Sequence, residues 1–166
     1  MSKTKRFICI CSGNICRSPM AVALLRQRLE ARNVPNLVIS AGTLGIQGRR
    51  AARFARRAIA EVDDRLAQVI EGHRSQGISP SMLDVADFLI VMAPNHEEYV
   101  LRVRPAVADR IVRLWEYAPE GMNLRKIPDP VGHDAEVFRH SRNLIDQCLQ
   151  NWLHDLYGPG ADTSTE

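Results

Sequence analysis

Phe7-Ile8-Cys9-Ile10-Cys11-Ser12-Gly13-Asn14-Ile15-Cys16-Arg17-Ser18-Pro19 runs from an apolar stretch, through a polar turn, to a helix-opening pair. Phe7 to Ile10 is apolar without alternation, the pattern of a strand buried on both faces of a parallel sheet. Serine is a favoured helix cap and proline a favoured first residue, so a helix is expected to open at Ser18-Pro19. Ala21, Leu24, Leu25 and Leu29 continue it at helical spacing and cover the sheet. Strand, turn and helix in this order place the turn at the carboxyl end of a strand, where open α/β sheets bind ligands.

Further along the chain the same alternation returns. Leu37-Val38-Ile39 reads as a second strand, closed by Ala41-Gly42-Thr43, and a long helix is expected from about Gly48 to Glu61. Phe88 to Met92 is a third strand, with a helix from Pro94-Asn95-His96 towards Arg102. Ile111 to Leu114 is a fourth strand, and Asp134 to Tyr157 carries a helical stripe ending at Gly158-Pro159-Gly160. The expected fold is α/β: a single-domain four-stranded parallel sheet with helices on both faces and a phosphate-binding loop after the first strand. The domain is expected to span residues 1–157, with 158–166 a flexible C-terminal tail.

Composition agrees with an ordinary globular domain: 166 residues, 45% hydrophobic and 25% charged, with a net charge of +3. That mild charge does not point to nucleic acid. The apolar run near the N-terminus is too short for a signal-peptide core or a membrane span, so a soluble cytoplasmic protein is the default. Cysteines stand at 9, 11, 16 and 148, unlike the spread pattern of a disulfide-stapled secreted domain. Arg49 to Arg57 is strongly basic, and reads either as a solvated helix face or as a rim for acidic phosphorylated tails.

Cys11 to Ser18 has the form C-x5-R-S. A turn of this size can direct its backbone N–H groups inward as an oxyanion nest, made of Ser12, Gly13, Asn14, Ile15 and Cys16. The following helix adds free N–H groups and its positive end. Gly13 and Asn14 tolerate the left-handed backbone such a turn needs. Arg17 offers a planar fork to two phosphate oxygens. Cys11 stands at the mouth, where nearby donors favour a thiolate able to attack phosphorus, and the Ser18 hydroxyl can also donate to it. A Walker loop is excluded, because no Gly-Lys-Ser/Thr ending is present. Cys9 is expected in the core, and no second Cys/His cluster has zinc-ligand spacing.

Cys11 to Ala21 resembles the signature of the low-molecular-weight protein tyrosine phosphatases, and the similarity extends over nearly the whole chain. Ser40-Ala41-Gly42-Thr43, His73-Arg74-Ser75, Ala86 to Met92 and Pro128-Asp129-Pro130 are similar to further segments of that family. The resemblance implies Cys11 as nucleophile, Arg17 as phosphate clamp and Asp129 as general acid. It implies a phosphocysteine intermediate, a phosphorylated protein as substrate, and no cofactor or metal. It also implies that Asn14, Ser40 and His73 form a hydrogen-bond network bracing the loop. Asp129 has its own chemical case, since a departing alkoxide or phenolate needs a proton that a carboxylic acid supplies.

Two positions depart from the family pattern. Val131 follows Asp-Pro, where an aromatic is usual, and Leu44-Gly45-Ile46 stands where the family places another aromatic. Relatives acting on phosphoarginine carry threonine where this chain has Ile15. The reading is therefore a phosphotyrosine phosphatase, with a protein-arginine phosphatase as the alternative. A thiol-dependent arsenate reductase is less well supported, because only Cys148 lies downstream. A non-catalytic phosphoryl-binding module is disfavoured by the full set of nucleophile, clamp and acid. Cys16 shares the loop with Cys11, and is read either as a small filler or as a thiol that captures oxidised Cys11.

Overall fold

Residues Phe7 to Cys11 are buried without a break, which in a strand requires cover on both faces. The computed structural model describes residues 2–160 and supplies that cover. Strand β1 (Lys5–Cys11) lies between β2 (Asn36–Gly42) and β3 (Phe88–Val91), and β4 (Ile111–Arg113) extends the sheet beyond β3. All pairings are parallel, in the order β2-β1-β3-β4. Cys11 is therefore in register with Gly42, and the turns after β1, β2 and β3 share one rim of the sheet.

Helices α1 (Arg17–Ala31), α2 (Arg53–Ala60), α3 (Asp64–Glu71) and α6 (Ala135–Tyr157) pack on one another. Helix α4 (Pro80–Val85) leads into β3, and α5 (Pro94–Val103) sits against β3, β4 and a 3₁₀ turn over Pro105–Arg110. Trp152 of α6 meets Phe7 and Phe88 edge-on, and those two rings stack at 5.2 Å across β1 and β3. Among the described residues, no helix is long and apolar enough to cross a membrane. Residues 161–166 of the expected tail lie outside the described residues.

Several expected boundaries move. The helix expected from Gly48 to Glu61 exists only as Arg53–Ala60. Gly45 and Gly48 have positive φ, and the backbone between them and α2 bonds sideways rather than along itself. Gly48 N donates to the Ser75 carbonyl, and Arg49 N to Ser75 Oγ. Helices α3 and α4 were not anticipated, although Asp63 and Ser79 cap them with side-chain oxygens. The basic run is largely ion-paired: Arg50 and Arg56 meet Glu71, Arg57 meets Glu61, and Arg53 lies over the Phe54 ring.

Candidate active site

The loop after β1 is held from outside by its carbonyl oxygens. Thr43 N donates to the Cys11 carbonyl at 3.0 Å, Leu44 N to that of Ser12 at 3.0 Å, and Ala52 N to that of Ile15 at 2.7 Å. His73 Nε2 donates to the Asn14 carbonyl at 2.6 Å. With the carbonyls turned out, the N–H groups turn in. Among the described residues, no backbone N–H from Ser12 to Cys16 donates to a protein acceptor. Such a concave set of free N–H groups, continued by the positive start of α1, suits a tetrahedral oxyanion. Asn14 takes the left-handed turn, with φ of 57°, whereas Gly13 does not, contrary to the sequence reading.

The side chains of the loop form a second layer. Asn14 is buried; its Nδ2 donates to both Ser18 Oγ and Ser40 Oγ at 2.8 Å, and its Oδ1 accepts from Gln76 N at 2.9 Å. Ser18 does not cap α1, which begins one residue earlier, at Arg17. Its hydroxyl oxygen accepts from Asn14, which leaves its single proton for Cys11 Sγ, 3.0 Å away. That proton supports a sulfur anion at the centre of the nest. Pro19 falls in the first helical turn, where a missing N–H breaks no bond. His73 is held below its ordinary pKa, chiefly by burial and further by Arg74, although its bond to the Asn14 carbonyl works the other way.

Gly42 is required by this arrangement. A Cβ there would stand 2.6 Å from the Ser12 carbonyl oxygen and 3.0 Å from Asn14 N, both backbone atoms of the loop. The collision leaves the loop no rotamer to change, so it must shift bodily. Gly42→Ala is expected to lower kcat/KM on a small phosphate ester by at least about a hundredfold, the usual scale for misplaced reacting groups. Steady-state kinetics beside a thermal melt measures it, and near-normal turnover would mean the loop tolerates displacement.

Arg17 is buried, and holds the opposite wall. Its NH1 donates to the Ile127 carbonyl at 2.9 Å and its NH2 to Asp129 Oδ2 at 3.3 Å, while its Nε has no partner among the described residues. Asp129 Oδ1 accepts from Val131 N at 3.1 Å, so the carboxylate is fixed by a turn and by Arg17. Cys11, Arg17 and Asp129 thus line one cleft of about 210 Å³. Ile15, Leu44, Ile46 and Val131 form its apolar sides, and Leu44 and Val131 are 67% and 54% exposed at its lip. A larger groove of about 340 Å³ opens near Arg26, His73 and Arg74, and no cysteine lines it.

The remaining sulfurs are quieter. Burial pushes the Cys16 thiol up to about 12, helped by the negative charges of Asp129 and Cys11 and opposed by Arg17. Cys9 is wholly buried in the core and is also pushed up by burial. Among the described residues, no group of three or more His, Cys, Asp and Glu is placed to hold a metal.

Sequence reasoning missed Gly42, Gln76, the Ile127 carbonyl and His96. His96 is fully buried at the start of α5, with Nε2 at 2.9 Å from Ser12 Oγ. Its only sequence signal was its place just after Pro94, at the carboxyl end of an expected strand.

The chain is similar to known proteins over nearly its whole length. The chain is 33% identical to a low molecular weight protein-tyrosine-phosphatase, Ptp, of Acinetobacter johnsonii, covering 92% of this chain and 98% of that one. It is 30% identical to a protein-arginine-phosphatase of Geobacillus stearothermophilus, over 91% and 95% of the two chains. The structure of Vibrio vulnificus Wzb in complex with benzylphosphonate superposes with a TM-score of 0.76 at 25% identity, covering 91% of this chain and 98% of that one. Residues 6–159 match the family described as low molecular weight phosphotyrosine protein phosphatase, and the chain belongs to that family.

Proposed function

We propose that this protein hydrolyses phosphotyrosine monoesters in phosphorylated proteins, in two steps through a phosphocysteine on Cys11. The observation that carries this reading is the nest of inward N–H groups with Cys11 and Arg17 at one cleft. In the first step the Cys11 thiolate attacks phosphorus, and the P–O bond to the leaving group breaks. Asp129 gives its proton to that oxygen. In the second step water attacks phosphorus, passes a proton to the Asp129 carboxylate, and the Cys11–P bond breaks to release phosphate. Arg17 and the loop N–H groups hold the equatorial oxygens through both steps. The four cysteines are free thiols, which fits a reducing compartment such as the cytoplasm.

The walls favour a phenyl ring over a guanidinium. Ile15, Leu44, Ile46 and Val131 bury apolar area but offer no side-chain hydrogen-bond partner. A guanidinium N–H placed against them is left unpaired, which is costly in a closed site. The absence of aromatic walls removes stacking worth about 0.5–1.5 kcal/mol per pair, so affinity is expected to be modest. Matched peptides carrying phosphotyrosine or phosphoarginine test the reading by side-by-side kcat/KM. Phosphotyrosine is expected to be preferred, and Ile15→Thr to shift the ratio about tenfold towards phosphoarginine. Preference of the wild-type chain for phosphoarginine would reassign it to the activity named for the Geobacillus relative.

A further inference from the structure

His96 and Ser12 are a polar pair for which the two-step reaction above has no use. Ser12 lines the cleft beside Cys11, and its hydroxyl lies 2.9 Å from His96 Nε2. His96 is fully buried, and among the described residues its Nδ1 has no hydrogen-bond partner. A buried histidine with one nitrogen aimed at a site residue and the other at nothing is an expensive choice for filling space.

The charges around the ring decide its tautomer. Burial, with help from Arg17 and against the opposing charge of Asp129, lowers the His96 pKa to about 4, so the ring is neutral. The ring also sits in the first turn of α5, where the helix dipole is positive. In that positive field a bare Nδ1 lone pair is favoured over an N–H with nowhere to donate. The single ring proton then belongs on Nε2, and Nε2–H donates to Ser12 Oγ. Ser12 keeps its own proton. Had the ring accepted that proton instead, only oxygen lone pairs would face an anionic substrate.

We propose that His96 is a positioning residue that turns the Ser12 hydroxyl proton into the cleft, where Ser12 donates to the transferring phosphoryl group. Ser12 then adds a side-chain donor to the backbone nest, strongest when charge builds on phosphoryl oxygens in the transition state. The proposal rests on the phosphatase reading of the cleft, and concerns only which groups hold the phosphoryl.

The test combines kinetics with a direct view of the ring in the full chain. Para-nitrophenyl phosphate serves as substrate and orthovanadate as inhibitor, for wild type, Ser12→Ala, His96→Ala, His96→Gln and the Ser12→Ala/His96→Ala double variant. Ser12→Ala is expected to lower kcat/KM and vanadate affinity by about tenfold, the effect of one hydrogen bond to a charged group, with an unchanged melt. His96→Ala is expected to add nothing once Ser12 is gone, and His96→Gln, whose amide N–H can replace Nε2–H, to retain more activity than His96→Ala. Nitrogen-15 spectra of histidine-labelled protein are expected to show the Nε2–H form at His96. Wild-type kinetics and vanadate binding in Ser12→Ala, multiplying losses in the double variant, or an Nδ1–H ring would each overturn the pair. Should the His96 variants fail to fold, Ser12→Ala and the spectrum of the wild-type ring still decide it. A wild-type chain inert towards the ester would instead sink the phosphatase reading itself, which the same assay reports separately.

Discussion

Cys11→Ser is expected to end turnover while oxyanion binding survives. The nest is made of backbone N–H groups whose carbonyls are held by Thr43, Leu44, Ala52 and His73, and none of those bonds involves the sulfur. Arg17 is anchored independently on the Ile127 carbonyl. Removing the thiol therefore leaves the binding surface standing. What disappears is the anion: a serine hydroxyl is not ionised at neutral pH, and Ser18, poised to donate to a sulfur anion, cannot act as a base towards it. Loss of a covalent nucleophile lowers turnover by up to about 10⁶-fold, and a fall of at least about 10⁴-fold is expected here. Single-turnover kinetics with a phosphopeptide, paired with phosphate or vanadate titration, measures both halves. Residual activity above about a hundredth of wild type would remove Cys11 from its role. Loss of oxyanion binding would mean that the sulfur also holds the loop in shape.

Asp129→Ala has the second largest expected effect, and its size depends on the substrate. The carboxylate is 39% exposed at the cleft mouth, positioned by Val131 N and by Arg17 rather than sealed in. In the proposed mechanism it gives a proton to the leaving oxygen and later takes one from the attacking water. General acid catalysis is worth about 10²–10⁴-fold, most where the leaving group is a poor one. A series of aryl and alkyl phosphates therefore separates the roles. The wild type is expected to show little dependence of log kcat/KM on leaving-group pKa. The variant is expected to show a steep one, losing about 10³-fold on alkyl esters and far less on nitrophenyl esters. Parallel lines for the two proteins would place the acid at another residue.

The strand, loop and first helix were legible because their signals are local. An unbroken apolar run, a polar turn and a good helix former lie in one short stretch, and each agrees with the others. The region from Gly48 to Ala52 was misread because its backbone bonds to Ser75 and Ile15, distant in sequence, and such tertiary bonds override helical propensity. The donation from Ser18 to Cys11 was legible, but the cap was not real: propensity does not reveal that Asn14 also claims the Ser18 hydroxyl. His96 was read only as part of a helix start, since its partner is 84 residues away and joins it only through the pairing of β1 with β3.

The stretch that follows β2 touches the loop through main-chain N–H groups of Thr43, Leu44 and Ala52, while Leu44 and Ile46 also line the cleft. Every residue except proline carries that N–H. Mould and facing are therefore independent along the same piece of backbone. New facings at 44 and 46, aromatic or polar, leave the mould as it is, whereas adding or deleting one residue between them and Ala52 slides every tether out of line. Descendants of this chain can thus drift in taste through exchange of side chains alone, provided the length of that stretch stays constant.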